Sequence, residues 1–203
     1  TEVAGLYEFD RKLRTLVHDG IERIEIALRT RVGEWIVARG PLAYEAKDLF
    51  RPDFDHKSWL TTARRRLKRA EGNNAAIRHY SEKYEGYPFW VLAETLDFAD
   101  ISKLYAGLPI NAQHEISHSF GFVIDPLRLK GKHRKNYYSR DPLARWCEQL
   151  TVVRNVCAHH DACSIETYCQ HRPSHFAQLT AWSRFPRDKA TNSLGHFSSW
   201  YSC

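Results

Sequence analysis

The sequence predicts an all-α fold, and three observations carry that prediction. Apolar residues in the first forty positions recur at the three- and four-residue spacing of one helix face. Gly, Pro and Asp punctuate the later segments where helices start and stop. No run shows the sustained period-two alternation of β-branched residues that a half-buried strand requires.

Residues 6–39 read as one long amphipathic helix, with Leu6, Phe9, Leu13, Leu16, Val17, Ile21, Ile24, Leu28, Val32, Trp35 and Ile36 on its inner face. Gly40-Pro41 ends it, because Gly suits a left-handed cap and Pro cannot continue the ladder. Pro52 to His56 carries turn and cap chemistry before a helix over 59–70, with Trp59, Leu60, Ala63 and Leu67 inward. Glu71-Gly72-Asn73-Asn74 breaks the pattern ahead of a shorter helix over 75–84. Pro88 sits at the first turn of a helix predicted to run unbroken over 89–105. Residues 111–120 are expected to be helical and 123–140 to form a basic, aromatic-tipped loop. Asp141-Pro142 then opens a helix with Leu143, Trp146, Cys147, Leu150, Val153 and Cys157 on one stripe. Trp90 and Trp146 are expected in the core.

The 203 residues suit one helical domain, expected over 1–161, with an appendage over 162–203. That tail holds seven Ser, three Cys, three His and two Trp but few branched aliphatics, so it is expected to be irregular. Apolar residues are 43% of the chain and charged residues 27%, enough for a real core. Thirty Lys and Arg against 24 Asp and Glu leave a net charge of +6, a mild bias toward a polyanionic partner. Five Cys without framework spacing point to a reducing compartment. No segment has the length of a membrane span or the pattern of a signal peptide, so the expected location is cytoplasmic, with no membrane partner. With no Met in the chain, the native start is expected upstream of Thr1.

The residues most able to carry chemistry are Arg154-Asn155-Val156-Cys157-Ala158-His159-His160. A guanidinium offers a planar donor fork to a phosphate, and imidazole exchanges protons near neutral pH. Together they are a minimum set for RNA cleavage by 2′-OH attack. On an unbroken helix Arg154 and His159 would lie roughly 140° apart, at about 100° per residue, so they share a face only if the helix ends near Ala158 or if two copies meet. Local hydrogen bonding at a helix end is the bland alternative. Glu22 is either an acidic partner of the arginine or a plain surface residue; Glu25 is expected to pair with Arg29. Asp10 beside Arg11 leaves the same choice open.

Two basic clusters offer RNA-backbone contact. Arg64, Arg65, Arg66, Lys68 and Arg69 place five cations in six positions. Arg128, Lys130, Lys132, Arg134 and Lys135 place five in eight, followed by Tyr137 and Tyr138 for base stacking. Solvated faces account equally for such runs. Cys157, His159, His160, Cys163, Cys169 and His171 match no standard zinc spacing, so no metal is expected, and no cofactor loop appears.

Four blocks, in order, carry a family resemblance. They are Tyr7-Glu8-Phe9-Asp10-Arg11-Lys12-Leu13-Arg14, then Asp19-Gly20-Ile21-Glu22-Arg23-Ile24-Glu25-Ile26-Ala27-Leu28-Arg29-Thr30, then Tyr87-Pro88-Phe89-Trp90-Val91-Leu92-Ala93-Glu94-Thr95-Leu96-Asp97-Phe98 and finally Val153-Arg154-Asn155-Val156-Cys157-Ala158-His159-His160. Residues 7–161 resemble the Abi-like family of bacterial abortive-infection proteins, of AbiD/AbiF type, within the HEPN superfamily. The resemblance implies a HEPN-like helical bundle and a homodimer apposing two Arg-x4-His motifs. It also implies metal-independent endoribonuclease chemistry that leaves a 2′,3′-cyclic phosphate, in defence against phage. Arg154 would bind the scissile phosphate, His159 would transfer protons, Asn155 would orient one of them, and His160 is a second candidate for the proton role. RNA is the implied substrate, and a small RNA or protein antitoxin the implied regulator of a toxin–antitoxin arrangement. A non-catalytic RNA-binding module is the alternative. After His160 the family generally continues Arg-Leu-aromatic-Asn/Asp-Arg, whereas this chain has Asp161-Ala162-Cys163-Ser164-Ile165-Glu166. A one-base shift of reading frame would convert one into the other, which would make the tail unselected sequence and cast doubt on activity.

Overall fold

The computed structural model of the chain describes residues 2–158, all helices, turns and loops. The predicted tail and the histidines His159 and His160 lie outside the described residues. Helix α1 spans Glu2–Val37, and two short 3-10 turns follow at Ala43–Glu45 and Lys47–Leu49. Next come α2 (His56–Ala70), α3 (Ala75–Lys83), α4 (Phe89–Ala93) and α5 (Phe98–Gly107). The last three are α6 (Ile110–Ser119), α7 (Gly131–Ser139) and α8 (Pro142–Ala158). Among the described residues there is no strand, and the fold is all-α as the periodicity requires.

Helix α5 is the centre, with α1, α2 and α8 packed around it. Its Phe98, Ile101, Leu104 and Tyr105 are at most 1% exposed. They meet Leu28, Val32 and Ile36, one stripe of α1 at four-residue spacing, and Leu143, Ala144 and Cys147 of α8. Trp59, Ala63 and Leu67 bring α2 onto the same core. The Trp59 indole N–H donates to the Asp100 carbonyl at 3.0 Å, so the ring is satisfied as well as buried. The turn that follows α1 reaches Gly40, whose φ of 131° is readily open only to glycine. Its neighbour Pro41 then accepts the Phe89 N–H at 2.8 Å, which ties the α1 exit to the start of α4.

A buried glutamine joins three helices. Gln113 donates to the carbonyls of Ala106 and Leu108 and accepts the Asp141 N–H at 3.1 Å. Asp141 in turn accepts the Leu143 N–H at 2.8 Å, and the Tyr105 hydroxyl donates to the Gln113 carbonyl. The Asp141-Pro142 start of α8 is thereby locked to the end of α5.

Four expectations need correction. The helix over 89–105 is two helices: the ladder stops after Ala93, and Asp97 caps a new start. Its carboxylate accepts the Asp100 N–H while the Asp100 side chain reaches back to the Asp97 N–H, a reciprocal capping box. The expected loop over 123–140 contains α7, whose one buried residue, Tyr137, stacks on His114 at 4.1 Å between centroids. With so little apolar surface to bury, that helix leaves no periodic trace. The first turns of α1 are exposed where burial was expected, with Leu6 at 69%, Phe9 at 59% and Leu16 at 71%. The α1 residues in the core begin near Val17 and Ile21. Trp90 is half exposed at the surface of α4, because Phe89, Val91, Leu92 and Ala93 take the inward positions of that single turn.

Loop residues 50–54 close over the end of α5. The Arg51 N–H donates to the Gly107 carbonyl at 2.9 Å, and the Phe54 ring lies where a Cβ on residue 107 would come within 2.6 Å of it. Only glycine permits this approach.

Three outcomes follow for denaturant and labelling experiments. Gly107→Ala should cost about 1–3 kcal/mol by overpacking, and adding Phe54→Leu should recover part of it. Asp97→Ala should cost about 1–2 kcal/mol through the lost cap, with Asp97→Asn milder because its amide oxygen still accepts the Asp100 N–H. Burial, reinforced by the nearby Asp141, pushes the Cys147 thiol up to about 12. At pH 7.5 the peptide carrying Cys147 should therefore stay unalkylated by iodoacetamide in the folded protein and label fully in denaturant.

Candidate functional site

The last two turns of α8 lie against the start of α5. Leu143, Cys147 and Leu150 descend the inner face of α8 at alternating four- and three-residue steps, and the next residue in that series is Arg154. A cation thus occupies a core-facing position of an apolar stripe. Arg154 is half-buried and Asn155 exposed. Both line a hollow of about 50 Å³ completed by Thr151 from α8 and Asp97, Phe98 and Ala99 from α5.

The α5 side of the hollow is held from two directions. Arg66 of α2 forms ion pairs with both Asp97 and Asp100. Arg29 of α1 pairs with Glu25 at 2.6 Å and donates to the Leu96 carbonyl at 2.9 Å. Burial opposes charge on Asp97, but the Asp100 N–H and side chain and the Arg66 guanidinium outweigh it and hold its carboxyl below the usual range. Asp100 moves the other way, raised by burial and by the neighbouring Asp97 charge against the pull of Arg66. The start of α5 is therefore a fixed, mostly neutralised cluster.

The pairing of arginines sets Arg154 apart. Among the described residues the other half-buried arginines each have a carboxylate. Arg14 pairs with Asp10 at 3.0 Å, Arg29 with Glu25, Arg51 with Asp53 at 3.0 Å, Arg66 with two aspartates and Arg140 with Glu148 at 3.3 Å. Arg154 has no ion-pair or hydrogen-bond partner among the described residues. A half-buried guanidinium with an open donor fork, beside a hollow, can hold an oxyanion.

Other residues singled out in the sequence fall elsewhere. Glu22 is exposed on α1 and does not line the hollow, whereas Glu25 makes its expected pair with Arg29. Asp10 pairs with Arg14, while Arg11 pairs with Glu8 at 3.0 Å. In the α2 cluster Arg65, Lys68 and Arg69 face solvent, and Arg64 pairs with Glu45 at 3.3 Å. Arg66 turns inward to the aspartates, so it braces α5 from within the fold. Lys130, Lys132, Arg134 and Lys135 are exposed on and beside α7, and Arg128 pairs with Asp125 at 3.4 Å. The Tyr137 ring is buried against His114, which leaves Tyr138, 53% exposed, as the outward ring of the two. Of the residues weighed for zinc, only Cys157 is described, and it is buried.

Sequence reasoning missed Asp97, Asp100 and Thr151. The signal for the first two was present as an Asp-x-x-Asp spacing ahead of an apolar run, the pattern of a helix start. It was hidden inside a longer periodic segment. None of the described helices is long and apolar enough to cross a membrane.

No curated protein and no solved structure matches the chain. A family model described as Abi-like protein matches residues 1–163, which includes every described helix together with His159 and His160. That match spans most of the 203 residues, and the chain belongs to the Abi-like protein family.

Proposed function

We propose that the chain is an endoribonuclease of abortive infection, which cuts cellular or phage RNA without a metal ion and so limits phage spread. The observation that carries this reading is the half-buried Arg154, with no carboxylate among the described residues, at the edge of a hollow. Family membership and the exposed basic faces of α2 and α7 support it. Arg154 binds the scissile phosphate and stabilises the charge that develops on its oxygens. His159 serves in proton transfer. A base removes the 2′-OH proton, the 2′ oxygen attacks phosphorus, and the bond to the 5′ oxygen breaks as that oxygen gains a proton. The products are a 2′,3′-cyclic phosphate and a free 5′-hydroxyl. Asn155 orients the arginine or the base, and His160 is the second candidate for the proton role. Two copies of the chain form the homodimer that brings both Arg-x4-His motifs to one RNA, with a small RNA or protein antitoxin as regulator.

The test is cleavage of a mixed RNA pool in EDTA by the parent chain, Arg154→Ala and His159→Ala. The parent should produce cyclic-phosphate ends, and each variant should lose about 100-fold or more in rate. Three equally inert proteins that still bind RNA with a steep salt dependence would overturn the ribonuclease in favour of a non-catalytic RNA-binding module.

A further inference from the structure

Beside the Arg154 hollow lies a larger cavity of about 430 Å³ between α2, α5 and α8. The two share Ala99 of α5 and Thr151 of α8 as lining, so they adjoin where those helices meet. Thr151 and Arg154 are one helical turn apart, about 4.5 Å along the axis, within the reach of a single nucleotide. The larger cavity is of small-molecule size, where sites run to about 300–1,000 Å³.

Its chemistry selects among ligands. Phe54 and Trp59 give it aromatic surface, each fixed by the packing described above. Ser58, Thr62, Ser102 and Thr151 contribute hydroxyl-bearing side chains. Its lining sets three cations, Arg51, Lys103 and Arg140, against four carboxylates, Asp53, Asp55, Asp100 and Glu148, and most of them are paired. Arg51 is paired with Asp53, Arg140 with Glu148 and Asp100 with Arg66, while Asp55 caps α2 by accepting the Ser58 N–H at 3.1 Å. Lys103 is the one lining cation with no ion-pair partner among the described residues. A lining with no excess of positive charge gives a run of phosphates no field to follow. Aromatic surface, hydroxyls and one free ammonium suit a flat polar body carrying a single anionic group.

We propose that this cavity receives one nucleobase of the RNA strand next to the phosphate held at Arg154, and so sets where the strand is cut. The proposal rests on the ribonuclease reading. Thr62 and Lys103 are its specificity-determining residues: Thr62 bounds the space from α2, and Lys103 meets the second phosphate of that nucleoside, on the side away from Arg154.

Two measurements on the full chain test it, with Thr62→Phe to fill the cavity and Lys103→Ala to remove the cation while leaving its volume open. Circular dichroism and thermal unfolding confirm that each variant is folded. In calorimetric titrations with the four nucleoside 5′-monophosphates, the parent should prefer one base, and affinity should fall at least tenfold in Thr62→Phe and several-fold in Lys103→Ala. Inorganic phosphate should not displace the nucleotide. Sequencing the cut ends from a random RNA pool should show a base preference beside the cut for the parent chain, which Thr62→Phe flattens in whatever cleavage it retains. No mononucleotide binding, binding unchanged in both variants, or equal displacement by inorganic phosphate would overturn the base pocket. So would an unaltered cut-site preference in an active Thr62→Phe. Mononucleotide binding that Thr62→Phe abolishes, in a chain that cuts no RNA, would establish the base-binding cavity and sink the ribonuclease reading alone.

Discussion

The rest of the structure depends on where the backbone restarts as a helix after Leu96. Had the ladder over 89–105 continued unbroken, the axis of α4 would have fixed the direction of α5, and the central helix would have met α1 and α8 differently. The reciprocal hydrogen bonds of Asp97 and Asp100 make the restart local. Arg29 and Arg66, from α1 and α2, make it tertiary. Everything that packs on α5 inherits that choice: the Trp59 hydrogen bond to Asp100, the Phe98 and Ala99 side of the small hollow, and the contact of Gly107 with Phe54.

The same cluster explains how a basic protein keeps cations near its core. Removing a guanidinium from water is unfavourable unless a carboxylate accompanies it. Arg29 and Arg66 are partly buried in company with Glu25, Asp97 and Asp100. Arg154 shares that partial burial without a described carboxylate, on a stripe where Leu143, Cys147 and Leu150 are apolar. Packing alone would favour leucine at that position. The proposed phosphate-binding role would give the charge a purpose.

How much of this was legible depended on whether burial left a period in the sequence. The α1 core, the α2 stripe and the Asp141-Pro142 start were readable because each pairs an apolar repeat or a cap with one unambiguous break. The division at Asp97 was not, since α4 and α5 continue one another's apolar spacing and the cap looks like an interior acid. Helix α7 was invisible for the opposite reason. It is held by the stack of Tyr137 on His114 and by the Arg51 guanidinium donating to the Ser139 carbonyl, contacts far apart in the chain. At the site, Arg154 was legible as chemistry and also as an anomaly in a stripe. Its neighbours Asp97 and Ala99 come from a helix more than fifty residues away, which no local pattern could announce.

The exposed beginning of α1 has a consequence of its own. Leu6, Tyr7, Phe9 and Leu16 stay largely in water, so that stretch gains little from desolvation. Same-helix charge pairs brace its turns, with Glu8–Arg11 and Asp19–Arg23 open to solvent and Asp10–Arg14 more shielded. Such pairs are each worth only about 0.2–0.5 kcal/mol and weaken as salt screens them. The two ends of one helix therefore answer to different forces: past Ile21 the rod is stiffened mainly by apolar packing that charge screening does not weaken, while its leading turns lose part of their charge-pair support as ionic strength rises.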